Sequence, residues 1–172
     1  MISLSAILAI ALSTTAPNFF HKMEGHWSAT GSRRQTFSGK ETRIEMDTQT
    51  SVQNETLISQ STVKEVDVAS GGVRIYGTAF WMRAHSPASE GLATDAVLVD
   101  LGSGDDPSLT VATSTGSFQN GTLVVIQHFA GDYLIRSETE FTADPSQTHY
   151  REATYHGETL LSETALEYRK ID

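Results

Sequence analysis

His128, His149 and Arg151 are the side chains best suited to chemistry in this chain, because turn pairing sets all three on one strand face with Thr113, Ser137, Thr139, Thr164 and Tyr168. Donors that converge on a shared interior can orient an anionic or hydroxylated ligand, or can satisfy one another and hold water. Arg151 is the sharpest of the set, since an enclosed guanidinium needs a carboxylate, a carbonyl or a ligand. Metal chemistry finds little support. His149 and His156 are seven apart on one strand and so point to opposite faces, and His21 and His26 precede or open the first strand. His128 with His149 is the one interior pair, and no third ligand of the kind zinc requires accompanies it. Glu138 and Glu140 share a face and have the look of an acid/base pair, but the pairing assigns that face to solvent. Gly-x-Ser-x-Gly, phosphate-loop and metal-helix motifs do not occur.

The elements that must carry these residues are short strands. From Trp27 onward, turn signals recur at Ser38-Gly39-Lys40, Asn54-Glu55, Gly71-Gly72, His85 to Gly91, Ser103 to Asp106, Asn120-Gly121, Gly131-Asp132, Asp144-Pro145 and Gly157-Glu158. Nine turns imply ten strands. With no crossover helix, the expected fold is all-β: an up-and-down antiparallel meander of eight to ten strands closed into a barrel, preceded by a short helical turn over Asn18–Glu24. An open sandwich is the alternative. Two-residue turns also fix register. They set His128 against Ile135, Ile126 against Ser137, Thr115 against Ile126 and His149 against Leu166, with Leu160, Leu166 and Tyr168 inward and Arg136, Glu138 and Glu140 outward. Ile44, Met46, Thr48, Thr50 and Val52 are expected inward, as are Val73, Ile75, Gly77, Ala79 and Trp81. The apolar phase slips between Leu57 and Val68, which predicts a bulge near Lys64-Glu65.

Composition narrows the classes. The 172 residues suit a single domain, expected over 17–172, and 38% apolar content supports one modest core. A formal charge of −9 disfavours nucleic acid, and Arg33-Arg34 is too small a basic pair to reverse that. The absence of cysteine excludes disulfides, thiolate metal sites and a lipid-anchored N-terminus. Met1 to Ala16 reads as a signal peptide, an apolar run over Ile2–Leu12 followed by small residues, with cleavage near 13–16. It is shorter than the roughly 20 residues a membrane span needs. The expected location is therefore periplasmic or extracellular.

Gly25-x-Trp27 at the start of the first strand resembles the Gly-x-Trp signature of the lipocalins and the wider calycin superfamily, and the plan from Asn18 to Lys170 is similar to theirs. The resemblance implies that Trp27 plugs one barrel end beneath a cation from the end of the last strand, Arg169 or Lys170, of which pairing favours Lys170. Gly25, Trp27, Arg169 and Lys170 would then close the barrel. It also implies a bacterial branch of the superfamily, since cysteine pairs, a helix after the last strand and a helical lid are all absent. Some calycin-like proteins bind haem through a histidine, which makes His128 and His149 the residues to inspect; otherwise no cofactor is expected. The function expected is non-enzymatic binding of a small apolar or amphipathic molecule. Its wall would be Trp81, Ile135, Phe141 and Leu166, and its polar contacts Arg151, His128, His149 and Tyr168. Two other classes stay open. One is an interaction protein with a filled barrel whose outer surface, carrying Phe80, Met82 or Phe118, meets a partner; the other is an isomerase- or hydrolase-type enzyme with His149 as acid/base.

Overall fold

A computed structural model describes residues 18–84, 97–109 and 114–171. The expected signal segment, the turn at His85 to Gly91 and Thr113 lie outside the described residues. One short helix, α1 (Asn18–Met23), precedes ten strands. They are β1 (Gly25–Gln35), β2 (Glu41–Gln53), β3 (Thr56–Asp67), β4 (Val73–Ala84), β5 (Val97–Ser103), β6 (Ser114–Gln119), β7 (Thr122–Phe129), β8 (Tyr133–Phe141), β9 (Gln147–His156) and β10 (Thr159–Lys170). Each strand pairs antiparallel with its neighbours in sequence, and β10 pairs with β1, so the meander closes into a ten-stranded barrel. Closure removes the unpaired edges that an open sheet of this length would expose.

Turn chemistry accounts for the register where the loops have two residues. Asn54-Glu55 and Asn120-Gly121 both have positive φ at both positions, 47° and 64° in the first and 52° and 78° in the second. Asparagine and glycine tolerate that conformation, which matches the strand twist of a tight hairpin. Gln53 accordingly faces Thr56, and Gln119 faces Thr122.

Two registers differ from those the turns suggest, and one expected bulge is absent. The β7–β8 connection contains Ala130 as well as Gly131 and Asp132, so His128 faces Leu134 and Ile126 faces Arg136. Between β9 and β10 a bulge at Leu161 shifts the pairing by one, putting Leu166 opposite Tyr150 and Thr164 opposite Glu152. The extra residue remains bonded on its other side, where the Thr36 amide donates to the Leu161 carbonyl at 2.8 Å. The bulge expected near Lys64-Glu65 does not form; β3 runs in unbroken register with β2 and β4.

One residue of slip reverses every side chain. On β4 the inward set is Tyr76, Thr78, Phe80 and Met82, while Val73 and Ile75 stand in solvent, 58% and 66% exposed. On β9 it is Thr148, Tyr150 and Glu152. The expected set on β2 is the observed one: Ile44, Met46, Thr48 and Thr50 line the lumen and Val52 packs on the core.

Two apolar clusters organise the interior. Near α1, Phe19 and Phe20 drop into the barrel end against Leu57, Met82, Val99, Leu123 and Val125. Phe19 stacks on Phe118 at 4.2 Å and meets Phe20 edge-on at 4.7 Å. The second cluster, Ala29, Ile44, Val63 and Leu166, lies toward the other end, rimmed by Met46, Tyr76, Tyr150 and Tyr168. No helix among the described residues is long and apolar enough to cross a membrane.

Candidate functional site

The floor of the site is set by the start of β1. Gly25 has φ +121°, a conformation that L side chains rarely adopt, and an added Cβ would lie 2.6 Å from Lys170 Cε. The Lys170 ammonium sits 5.6 Å from the centre of the Trp27 ring, within cation–π range. Trp27 is buried, and its indole N–H donates to the Met23 carbonyl at 2.8 Å, satisfying one of the carbonyls a helix end leaves open. Glu24 continues the tie: its carboxylate accepts from the Val52 amide at 3.0 Å and from His21 at 2.9 Å, and the His21 bond chiefly lowers its pKa. Arg169 lies on the opposite face from Lys170, one residue away on an alternating strand.

Above this floor the two clusters do not meet. They leave a cavity of about 340 Å³, bounded below by Met23, Trp27, Phe80 and Phe141. Its wall is largely apolar, with Ile44, Met46, Val63 and Leu166, banded by hydroxyls. Four of those hydroxyls answer one another across the sheet: Thr48 Oγ1 is 2.9 Å from Ser61 Oγ, and Thr50 Oγ1 is 3.3 Å from Ser59 Oγ. No buried side-chain nitrogen or oxygen among the described residues lacks a partner.

Polarity concentrates at the end of the cavity away from α1. Arg33, from β1, sends Nη1 to Glu65 Oε1 at 3.0 Å and Nε to Thr164 Oγ1 at 3.3 Å. The Tyr76 hydroxyl donates to the same Glu65 oxygen at 2.8 Å. On the far wall, the Tyr150 hydroxyl donates to Glu152 Oε2 at 2.7 Å. Burial, then the neighbouring Glu152 charge, pushes the Tyr150 phenol well above its usual range and Tyr168 up to about 12. Both phenols are thus held neutral, as hydrogen-bond donors.

Of the ligand contacts expected from sequence, Phe141, Leu166 and Tyr168 line this cavity. Five do not, four of them for a reason of phase. His128 is exposed on the outer face because the β7–β8 loop has a third residue. The bulge at Leu161 turns His149 and Arg151 outward; His149 Nδ1 lies 3.7 Å from Glu140, and Arg151 is exposed opposite Glu138. Neither His149 as acid/base nor a His128–His149 haem pair has a place in the lumen, and no group of three metal-ligating side chains occurs among the described residues. Trp81 is fully buried but on the other face of β4, opposite Gly102, where a Cβ would come within 2.4 Å of its ring. Ile135 is half-buried and does not line the cavity. Phe80, Met82 and Phe118, expected on an outer interaction surface, are interior. Glu138 and Glu140 face outward as expected, with Arg136 bonded to Glu138.

The sequence reading missed Arg33, Tyr76, Tyr150 and Glu152. Arg33 was findable, since it continues the inward phase of Trp27, Ala29 and Gly31 along β1. For Tyr150 and Glu152 the bulge conceals the phase.

No family model matches the chain, and no curated protein matches it. Among solved structures it is similar to the S-type phycobiliprotein lyase CPES from Guillardia theta, with a TM-score of 0.61 and 11% identity over 93% of this chain and 94% of that one. At that identity the likeness speaks for architecture alone. What it establishes, together with the closed ten-strand meander, is that the chain shares the fold of that protein, an all-β antiparallel barrel closed by ten strands.

Proposed function

We propose that this protein is an exported binding protein that holds one small apolar or amphipathic molecule in the barrel lumen. The observation that carries this reading is the cavity itself. A barrel of this size can fill its interior with side chains; here α1 seals one end and roughly 340 Å³ remains open, with an apolar wall and convergent hydroxyls near the other end. That volume lies in the lower part of the range typical of small-molecule pockets, about 300–1,000 Å³. The same lining disfavours the filled-barrel reading. The similar lyase is an enzyme by its name; for this chain the apolar wall and the hydroxyls described in the lumen support binding.

Export rests on the apolar run over Ile2–Leu12 and belongs to the same proposal, as does a place in a bacterial branch of the calycins. The test is native mass spectrometry of protein purified from its own host, with N-terminal sequencing of the same sample. A bound mass that disappears when Ser61→Trp fills the lumen, on a chain beginning near residues 14–17, is the expected result. An empty wild-type protein that binds nothing across a panel of lipids and alkyl compounds overturns the binding reading. A chain that keeps Met1 overturns export.

A further inference from the structure

Two charged side chains line the cavity, Arg33 and Glu152, and only one of them is spoken for. The Arg33 guanidinium is bonded to the Glu65 carboxylate and to Thr164, and Glu65 in turn accepts from Tyr76. Glu65 is largely enclosed, 12% exposed, and serves as the counterion of Arg33; Arg74, opposite Glu65 on β4, is exposed and lies over the Tyr76 ring at 4.7 Å. Glu152 differs. Its Oε2 accepts from the Tyr150 hydroxyl, and no other hydrogen bond or ion pair reaches the carboxylate among the described residues. Its strand neighbours are Thr164 on β10 and Ser137 on β8, both hydroxyls, and no lysine lines the cavity. Among the described residues Glu152 is therefore the cavity-lining charge without an ion-pair partner, and two phenol rings, Tyr150 and Tyr168, line the same cavity.

A carboxylate taken from water into an apolar enclosure is costly unless a cation or several donors meet it. Two phenol rings beside it strengthen the preference, since their faces attract a positive charge. An anionic ligand would be repelled by Glu152 and would find Arg33 already engaged. We infer that the lumen selects amphiphiles with a positively charged nitrogen head: the head pairs with Glu152 between Tyr150 and Tyr168, and the apolar tail runs down the wall toward Phe141 and Trp27. This inference rests on the lumen-binding reading and names its ligand class.

Isothermal titration of the full chain at neutral pH with octylammonium, octan-1-ol and octanoate tests it, because the three share one tail and differ in head charge. The expected order is ammonium, then alcohol, then carboxylate, with the ammonium at least about tenfold tighter than the alcohol. In Glu152→Gln the advantage of ammonium over alcohol should collapse to near parity. The order in the wild type stands as a test even where that variant folds poorly. Octanoate binding as tightly as octylammonium overturns the head-group assignment while leaving the lumen reading intact. Failure of all three to bind overturns the lumen reading and this inference with it.

Discussion

At the scale of single residues, the lumen is governed by where hydroxyls, phenols and glycines meet their neighbours. Three of the five tyrosines, Tyr76, Tyr150 and Tyr168, have pKa values raised chiefly by burial. Because the folded state holds these protons more tightly than the unfolded chain, their stabilising contribution is complete below about pH 10. It is lost as the pH rises toward the folded values, about 12 for Tyr168. Phenolate absorbance should accordingly show these three ionising late, and denaturant midpoints should fall as pH climbs past 10. Simultaneous ionisation of all five at pH 10, without loss of fold, would count against this picture. Gly31 supplies a second prediction. A Cβ there would lie 1.9 Å from the Ala165 carbonyl oxygen, backbone of the strand that closes the barrel. Backbone cannot swing aside as a lysine tip can. Gly31→Ala should cost about 2–3 kcal/mol or more in chemical denaturation, as overpacking of a tight contact does.

At the scale of elements, the barrel depends on α1 as a stopper and on the phase of each strand. Phe20 is fully buried among β-strand side chains, so Phe20→Ala should destabilise by about 3–5 kcal/mol, the usual loss for a buried phenylalanine. The phase of β4 is tested by a pair of changes. Ile75 stands in solvent and Val63, on the strand beside it, is buried in the second cluster, with Ala29, Ile44 and Leu166. Ile75→Thr should stay within about 0.5 kcal/mol of the parent, whereas Val63→Ala should lose about 1–3 kcal/mol as a buried apolar truncation. The reverse ranking in urea melts would restore the phase that the sequence suggested.

That suggestion shows how far pattern reaches in this chain. Element number, order and closure were legible, because Asn-Gly, Gly-Glu and Asn-Glu turns mark hairpins through backbone conformation alone. The phase of β2 was legible too, since Ile44 and Met46 alternate with charges. Phase failed on β7, whose run Leu123-Val124-Val125-Ile126 is apolar on both faces, so parity had to be borrowed from a loop that has three residues instead of two. It failed on β9 through the unmarked bulge at Leu161, which no glycine announces. On β4 the misleading residues were Val73 and Ile75, apolar yet exposed. The lumen contacts that were read correctly, Phe141, Leu166 and Tyr168, sit on strands where charges at Glu138 and Glu140 or at Glu163 and Glu167 mark the outer face, so a slipped partner register left their phase unchanged.

At the scale of the whole molecule, the two barrel ends are unlike. One is sealed by α1, Trp27 and the Lys170 ammonium; the other carries the Arg33–Glu65–Tyr76 unit and Glu152. Exposed apolar side chains gather around that second end, on the β1–β2, β3–β4 and β7–β8 hairpins, as Phe37, Val68, Val73, Phe129 and Tyr133. A ligand entering from that end would meet polar groups first and apolar wall beyond them. Under the proposed function, the inward side chains enclose a space that a small amphiphile enters. Intermolecular NOEs between octan-1-ol and assigned methyl groups test it most directly. Cross-peaks from the alkyl chain to the methyls of Ile44, Val63 and Leu166, all lining the cavity, are the expected result. Cross-peaks confined to Val73, Ile75 and Ile126, on the outer face, would contradict it.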